Sequence, residues 1–122
     1  MTTDELIHKI IGAALEVHHI LGPGLLESIY EEALSYELTL RSINFQRQRE
    51  IEMHYKGITN KGQRIDLLVE NQVVLELKSL QFIPDVAFAQ VLSYLKALNL
   101  KRGLLINFGE KKLVNGIKRI SN

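Results

Sequence analysis

The chain has 122 residues and a formal net charge of +1, with 46% apolar and 24% charged residues. This composition is typical of a globular domain and excludes a disordered segment, and no apolar run approaches the roughly 20 residues that a membrane-spanning helix needs. The absence of cysteine excludes disulfides, thiolate catalysis and cysteine-based zinc sites. We therefore expect a single domain over residues 1–122, no membrane partner and a cytoplasmic location.

Two helices are predicted at the start of the chain. In residues 2–21 the apolar side chains recur at helical spacing, and Thr2 with Glu5 has the pattern of a capping box. The Gly-Pro-Gly sequence that follows ends this helix, because proline has no backbone N–H and glycine tolerates turn geometry. A second helix is expected to restart within residues 25–42 and to end near Leu40.

Strands dominate the middle of the chain. Polar and apolar residues roughly alternate from Phe45 to Tyr55, as in a strand with one solvated face. A polar turn is expected over Gly57–Gly62. A hairpin of two mostly apolar strands, Arg64–Val69 and Val73–Leu80, is expected to follow it.

The last part of the chain predicts one more helix and two short strands. Pro84 and Asp85 begin the helix, which should extend to about Asn99. Residues 103–109 are typical of a buried strand, and residues 113–120 are typical of an edge strand. The order ααβββαβ(β) predicts one mixed central sheet flanked by helices, an α/β or α+β fold.

The charges are unevenly distributed along the sequence. Residues 1–40 contain seven acidic residues and one basic residue, whereas residues 41–122 contain fourteen basic and seven acidic residues. A surface with this local positive excess would attract phosphate groups. An ordinary mixed surface explains the same counts, so the charge pattern alone leaves nucleic acid binding open.

The predicted hairpin carries three charged residues, Asp66, Glu76 and Lys78, among residues suited to burial. Glu76 and Lys78 share one face of their strand because they are two residues apart. A three-residue loop at residues 70–72 would place Asp66 opposite Glu76, whereas a two-residue loop at residues 70–71 would send Asp66 to the other face. Asparagine at the loop centre tolerates left-handed geometry, which favours the three-residue loop.

Two neighbouring carboxylates in a half-buried site repel each other unless a positive charge lies between them. Two oxygen donors with open water positions suit Mg²⁺ or Mn²⁺. Lys78 would then orient or deprotonate a water, or stabilise charge on a phosphate. A surface salt bridge from Lys78 to both acids is the alternative, and the hairpin alone does not exclude it.

Two helices present further polar side chains at helical spacing. Glu27 and Tyr30 are three residues apart in the second helix, and Gln90 and Tyr94 are four apart in the third. Each pair alone is typical of an ordinary surface or half-buried polar pair. Together with the hairpin, they give three elements whose polar side chains would converge on one cleft.

At these positions the sequence resembles a known family. Gly24, Glu27 and Tyr30 in "GLLESIY" form the GxxExxY signature, and "VHHILGPGLLESIYEEAL" around it is similar to that family almost throughout. GxxExxY proteins are similar to the PD-(D/E)XK nuclease superfamily, and the resemblance covers nearly the whole chain. It implies a restriction-endonuclease-like core and a hydrolase that cleaves phosphodiester bonds with Mg²⁺ or Mn²⁺.

The resemblance also implies roles for the charged residues. Asp66 matches the first metal-binding acid of the superfamily, Glu76 the second, and Lys78 the lysine of its ExK motif. Glu27 resembles the helical acid that holds the metal, directly or through water. The sequence departs from the pattern in one place, because Ile65 rather than proline precedes Asp66.

Four further residues would support such a site. Gln90 and Tyr94 resemble the QxxxY element of RecB-like members, and Tyr30 belongs to the signature itself. His18 lies where this family usually has a histidine, and some related nucleases use an upstream histidine as a ligand. A histidine that packs or caps the helix is the alternative reading of His18.

The expected substrate is nucleic acid, with DNA favoured over RNA although no residue separates the two. Basic residues for backbone contacts are Arg47, Arg49, Lys61 and Arg64. A homodimer would suit two-strand cleavage. The competing hypothesis is a non-catalytic nucleic-acid-binding or protein-interaction module on the same fold, which the costly pair of carboxylates argues against.

Overall fold

A computed structural model describes all 122 residues, which form three helices and five strands. The helices are α1 (Thr3–Leu21), α2 (Glu27–Leu40) and α3 (Asp85–Leu98). The strands are β1 (Phe45–Tyr55), β2 (Ile58–Val69), β3 (Val73–Lys78), β4 (Arg102–Asn107) and β5 (Ile117–Ser121). A 3₁₀ helix at Leu113–Gly116 precedes β5.

The strands form one open sheet in the order β1-β2-β3-β4-β5. Neighbouring strands are antiparallel except β3 and β4, which are parallel and are connected through α3. A parallel pair needs such a crossover because a tight turn cannot return the chain to the same end of the sheet. The expected mixed sheet flanked by helices, an α+β fold, is confirmed.

Two hydrophobic clusters cover the two faces of the sheet. The larger cluster has 19 buried residues and joins α1 and α2 to the sheet, and the smaller has 10 and joins α3 to the opposite face. Along β3, Val73, Leu75 and Leu77 pack in the larger cluster, whereas Val74 packs in the smaller one. Because strand residues alternate, Glu76 and Lys78 project on the side of α3.

Local sequence signals explain how α1 begins and ends. The predicted capping box is present, since the Glu5 N–H donates to Thr2 Oγ1 and the Thr2 N–H donates to Glu5 Oε2. Gly22 follows the last turn with φ +73°, a conformation that favours glycine. The Gly-Pro-Gly segment therefore separates α1 from α2 as expected.

The polar turn predicted over Gly57–Gly62 is wrong, because most of that segment belongs to β2. The turn is instead the two residues Lys56 and Gly57, which have φ values of +47° and +83°. Residues 58–64 are exposed on both faces of a two-stranded ribbon. Their polarity reflects this exposure, which a solvated strand shares with a loop.

Smaller differences occur at the ends of other strands. β3 ends at Lys78, two residues earlier than predicted, and the first half of the predicted edge strand over residues 113–120 is the 3₁₀ helix. None of the helices combines the length and the apolar character needed to cross a membrane.

Candidate functional site

The β2–β3 hairpin has the register of the predicted three-residue loop. Leu67 pairs with Leu75 and Val69 pairs with Val73, so the next residues along each strand are Asp66 and Glu76. Regular backbone pairing between β2 and β3 stops at Leu67 and Leu75. The prediction that this register brings the two carboxylates together is therefore confirmed.

The two acids replace the missing backbone pairing with their own side chains. The backbone N–H of Asp66 donates to Glu76 Oε1 at 3.1 Å. The backbone N–H of Leu77 donates to Asp66 Oδ2 at 2.8 Å. Each carboxylate is thus held by the main chain of the opposite strand, which fixes the pair more rigidly than a contact between two flexible side chains would.

Burial makes this pair electrostatically unfavourable without a counterion. Glu76 is only 4% exposed. Burial first, and then the charge of Asp66, raises the pKa of Glu76 to about 8. The pKa of Asp66 is also raised, mainly by burial and further by Glu31. Hydrogen bonds from the backbone oppose both shifts and do not cancel them.

Lys78 lies beside the acids and has no partner within the protein. Lys78 is two residues after Glu76 on the same face of β3, and its charge lowers the pKa of both Asp66 and Glu76. No hydrogen bond or salt bridge within the protein involves its Nζ at contact distance, and the side chain is half-buried. The surface salt bridge spanning both acids is therefore not formed, and the ammonium is free to meet a ligand.

Gln48 and Glu31 also belong to the site, although the sequence analysis did not identify them. Gln48 Nε2 lies 2.6 Å from Glu31 Oε1 and 3.4 Å from Asp66 Oδ1. Gln48 has φ +49°, which residues other than glycine rarely adopt. Arg47 and Arg49 pair with β2 on either side of Gln48, so Gln48 is displaced from regular pairing opposite Asp66.

The same irregularity is visible in the packing of β2. Ile65 packs in the cluster under α3, whereas Leu67, two residues later, packs in the cluster under α1 and α2. Residues two apart in a regular strand would share a face. The alternation is therefore interrupted at Asp66, where the carboxylate turns towards Leu77 and Gln48.

Gln90 and Tyr94 form a second polar group on α3, together with Gln63 of β2. Gln90 Nε2 donates to the Tyr94 hydroxyl at 2.8 Å, and that hydroxyl donates to Gln63 Oε1 at 2.8 Å. The pKa of Tyr94 is raised, mainly by burial and then by the charge of Glu76, with a further contribution from Asp66. The predicted convergence of α3 with the hairpin therefore occurs, and Gln63 is an additional member.

Glu27 lies at the first position of α2 and is exposed. Its charge also raises the pKa of Glu76, although less than burial and the charge of Asp66 do. No three histidine, aspartate or glutamate side chains are arranged to hold a metal ion. Direct ligation by Glu27 together with both hairpin acids is therefore not preformed, and its role at the metal stays a prediction.

Tyr30 packs on the face of the sheet opposite α3 and holds the connection between α1 and α2, whereas His18 contacts the loop after β4. The Tyr30 hydroxyl donates to the Gly22 carbonyl and accepts the Leu25 N–H at 3.1 Å, and its ring stacks on Phe108 at 4.4 Å. His18 Nε2 lies 2.8 Å from the backbone oxygen of Glu110. These contacts favour the packing interpretation of His18 and indicate the same kind of role for Tyr30.

Asn107 fixes the loop that follows Lys78. Its side chain is fully buried at the end of β4. Asn107 Oδ1 accepts the Leu80 N–H at 2.9 Å, and Asn107 Nδ2 donates to the Leu80 carbonyl at 2.9 Å. The path of the chain leaving the site is thus set by a side chain that no motif in the sequence marked.

The four predicted phosphate-binding residues all lie on the β1–β2 ribbon. Arg49 has no carboxylate partner and donates to the Gln46 amide oxygen and the Glu50 carbonyl. The other three form ion pairs with N···O distances of 2.9–3.6 Å, which are Arg47–Glu31, Arg47–Glu32, Lys61–Glu52 and Arg64–Glu50. Arg49 is therefore the basic residue of this set with the most freedom to meet a phosphate.

The donor set of the hairpin suits a hard divalent cation. Asp66 and Glu76 offer two carboxylates whose mutual repulsion a cation would relieve, and Mg²⁺ typically binds through one or two carboxylates and keeps several waters. Burial raises the pKa of both acids, and the charge of Asp66 adds to this at Glu76; a bound cation would lower both pKa values. The residues present therefore fit Mg²⁺ or Mn²⁺ better than a metal that needs nitrogen or sulfur ligands.

Of the side chains Glu31, Gln48 and Gln63, which the sequence analysis did not identify, only Glu31 had a signal in the sequence. Glu31 is four residues after Glu27 and so lies on the same face of α2, which spacing alone could have suggested. Gln63 fell next to a segment predicted to be a turn, and Gln48 looked like an ordinary exposed strand residue. Neither has a sequence motif, so only the folded ribbon reveals them.

The comparison with protein families agrees with this geometry. The model of the PD-(D/E)XK nuclease superfamily matches residues 4–120 of the chain. The mixed open sheet with helices on both faces is consistent with the restriction-endonuclease-like core expected for that superfamily. No match was found among curated proteins or among solved structures.

Proposed function

The chain belongs to the PD-(D/E)XK nuclease superfamily, and we propose that it is a GxxExxY-type nuclease that hydrolyses phosphodiester bonds, with DNA as the favoured substrate. The observation that carries this proposal is the acid pair, a buried Glu76 and a half-buried Asp66, held across β2 and β3 by backbone hydrogen bonds beside a lysine without a partner. A protein that only bound nucleic acid would gain nothing from keeping two carboxylates where phosphates approach.

Asp66 and Glu76 would hold Mg²⁺ or Mn²⁺, and Glu27 would reach the ion directly or through water. The bound cation would lower the pKa of a coordinated water and offset negative charge on the scissile phosphate. The backbone N–H groups of Asp66 and Leu77 keep the two carboxylates in place for this task. Gln48 orients Asp66 from the neighbouring strand.

Lys78 would act on the substrate side of the acid pair. Its ammonium has no partner in the protein, so it can donate a hydrogen bond to the attacking water or to a phosphate oxygen without first breaking a salt bridge. Its position two residues after Glu76 on the same face of β3 would bring it near the place where that oxygen lies.

The β1–β2 ribbon would supply contacts to the nucleic acid backbone. Arg49 is free to bind a phosphate, whereas Arg47 would first have to leave its pairs with Glu31 and Glu32. Contacts of this kind give affinity without sequence preference and weaken as salt is added. A homodimer and a cytoplasmic location remain predictions of the same proposal.

The test is cleavage of DNA and RNA by the wild type and by Glu76→Ala in the presence of Mg²⁺ or Mn²⁺. We expect the wild type to cleave and Glu76→Ala to lose cleavage while its circular dichroism spectrum is unchanged. Glu52→Ala is the matched control, because Glu52 is an exposed acid on the same sheet that pairs only with residues of the ribbon. Equal activity of Glu76→Ala and wild type would overturn the proposal.

Binding of nucleic acid to the wild type and to Asp66→Ala, measured beside cleavage, separates the competing function. A non-catalytic binding module would bind nucleic acid in a salt-dependent way, show no cleavage with either metal, and keep its binding in Asp66→Ala. The free Lys78 beside the acid pair favours the nuclease.

A further inference from the structure

An open cavity of about 450 Å³ lies between α3 and the β1–β2 ribbon. Its walls are mainly apolar, and Gln63, Gln90 and Tyr94 line it together. These are the three residues joined by hydrogen bonds through the Tyr94 hydroxyl. The remaining lining residues are Met53, Val86, Ala89 and Ser93.

The hydrogen bonds of Tyr94 determine what the two amides can offer a ligand. The Tyr94 hydroxyl accepts from the amide nitrogen of Gln90 and donates to the amide oxygen of Gln63, and the reverse arrangement results if both amides turn over. The far end of one amide is then a donor and the far end of the other is an acceptor. This holds for either orientation of the amides, and neither far end has a partner in the protein.

On the basis of the nuclease function proposed above, we infer that this cavity binds an unpaired base of the substrate, so that the enzyme acts on single-stranded nucleic acid. A nucleobase has two flat faces that suit apolar walls, and its Watson–Crick edge places a donor beside an acceptor. The Gln63–Gln90 pair complements that arrangement in either order, because both amides can turn over together. Little preference among the four bases is therefore expected.

Base pairing excludes a duplex from the same interaction. In a double helix the Watson–Crick edge is already occupied, and a stacked base cannot enter a concave cavity without leaving the stack. In the major groove only adenine presents an acceptor beside a donor, whereas guanine presents two acceptors, so a paired strand of mixed sequence offers few matching edges. An unpaired strand meets neither restriction.

The position of the cavity connects base binding to cleavage. Gln63, which lines the cavity, precedes Asp66 by three residues in β2, so the cavity and the acid pair share this strand, and the charges of Glu76 and Asp66 raise the pKa of Tyr94. A base seated against Gln63 and Gln90 would bring the adjoining sugar and phosphate towards the acids and Lys78. The cavity would thus position the strand as well as select it.

The test is the binding of labelled DNA measured by fluorescence anisotropy in EDTA, which prevents metal-dependent cleavage. The ligands are a short mixed-sequence single strand, the same strand with abasic sites in place of nucleosides, and the corresponding duplex. Gln63→Leu removes one free amide, and Ala89→Trp fills the cavity without touching the hydrogen bonds. Gln81→Leu is the matched control, since Gln81 is exposed and lies outside this cavity.

We expect the wild type to bind the single strand about tenfold more tightly than the duplex or the abasic strand. Gln63→Leu and Ala89→Trp should each lose that preference while binding the abasic strand as the wild type does, and Gln81→Leu should match the wild type. Equal binding of single strand and duplex by the wild type, or an unchanged preference in both variants, would overturn the inference.

Cleavage with Mg²⁺ distinguishes this failure from failure of the nuclease function. Cleavage by the wild type without any preference for unpaired bases would leave the nuclease function standing and remove only the base-binding cavity. If the wild type neither cleaves nor binds the strands, both the nuclease function and the base-binding cavity are contradicted.

Discussion

Asp66 and Glu76 lie opposite each other on neighbouring strands, and the backbone N–H of Asp66 donates to the carboxylate of Glu76 at 3.1 Å. The carboxylate of Asp66 in turn accepts the N–H of Leu77. Two backbone N–H groups of the sheet therefore hold two side chains of like charge next to each other. This arrangement positions the acids for a ligand at the expense of the stability of the metal-free protein.

The first prediction concerns how the stability of the metal-free protein depends on pH. Glu76 has a pKa of about 8 in the folded state against an ordinary value of 4.5, so between these values the folded protein holds a proton that the unfolded chain has lost. The free energy of unfolding must then fall as the pH rises through this window. Urea denaturation in EDTA should show a steeper fall for the wild type than for Glu76→Gln, which cannot ionise.

Asp66 titrates in both proteins, and its raised pKa gives a contribution of the same sign. The difference between wild type and Glu76→Gln therefore reports the titration of Glu76 together with its coupling to Asp66. Parallel pH profiles for the two proteins would contradict the raised pKa.

The second prediction is that metal binding releases a proton. Near neutral pH Glu76 is mostly protonated, and a carboxylate must lose its proton to bind a cation. Calorimetry with Mn²⁺ in two buffers of different ionisation enthalpy should show release of about one proton at pH 7 and little release well above pH 8. Glu76→Ala should bind the ion weakly or not at all. Identical heats in the two buffers would show that Glu76 is already ionised.

The third prediction concerns the unusual backbone of Gln48. At φ +49° a side chain costs about 1 kcal/mol, so Gln48→Gly should be more stable than Gln48→Ala by about that amount. The neighbouring Gln46 provides the matched pair, because it is exposed on the same strand without a positive φ. There the alanine variant should be the more stable one. Both Gln48 variants should have a lower kcat, because Asp66 loses the amide that orients it.

Chemical denaturation of the glycine and alanine variants at Gln48 and at Gln46 measures whether the backbone at Gln48 is strained. Equal stability of Gln48→Gly and Gln48→Ala would mean that the backbone at this position carries no strain. Unchanged kcat in both would mean that Asp66 is positioned by Leu77 alone.

The predictable part of the fold was the part that depends on local pattern. The capping box, the Gly-Pro-Gly break and the alternation around Val74 each follow from neighbouring residues, and the asparagine in the loop favoured the register that pairs Asp66 with Glu76. The extension of β2 to Ile58 could not be predicted in this way, because a strand exposed on both faces has no apolar alternation.

The site residues also fall into a group that local pattern predicts and a group that it does not. Asp66, Glu76 and Lys78 lie on one hairpin, so strand geometry and a single loop length bring them together. Gln63 and Gln48 reach the site only because β1 and β2 are irregular, with a shift in pairing between Ile51 and Met53 and a left-handed residue opposite Asp66. Such irregularities arise from three-dimensional packing and have no periodic signal in the sequence.

The last prediction is that Tyr30, the tyrosine of the GxxExxY signature, stabilises the fold and takes no part in cleavage. Tyr30 is fully buried, and its hydroxyl bridges the Gly22 carbonyl and the Leu25 N–H on either side of Pro23 and Gly24. Tyr30→Phe keeps the stacked ring but leaves both backbone groups without that partner. The free energy of unfolding should therefore fall by about 1–2 kcal/mol in urea denaturation.

Tyr36→Phe is the control, because Tyr36 lies on the same helix and is 66% exposed, so its stability should be unchanged. Cleavage per folded molecule should be the same in Tyr30→Phe and wild type, since the hydroxyl is occupied by the backbone around the Gly-Pro-Gly segment. The opposite result, full stability with lost cleavage, would place the Tyr30 hydroxyl in the chemistry. Loss of stability alone would show that two positions of the signature, Gly24 and Tyr30, build the turn that presents Glu27 at the start of α2.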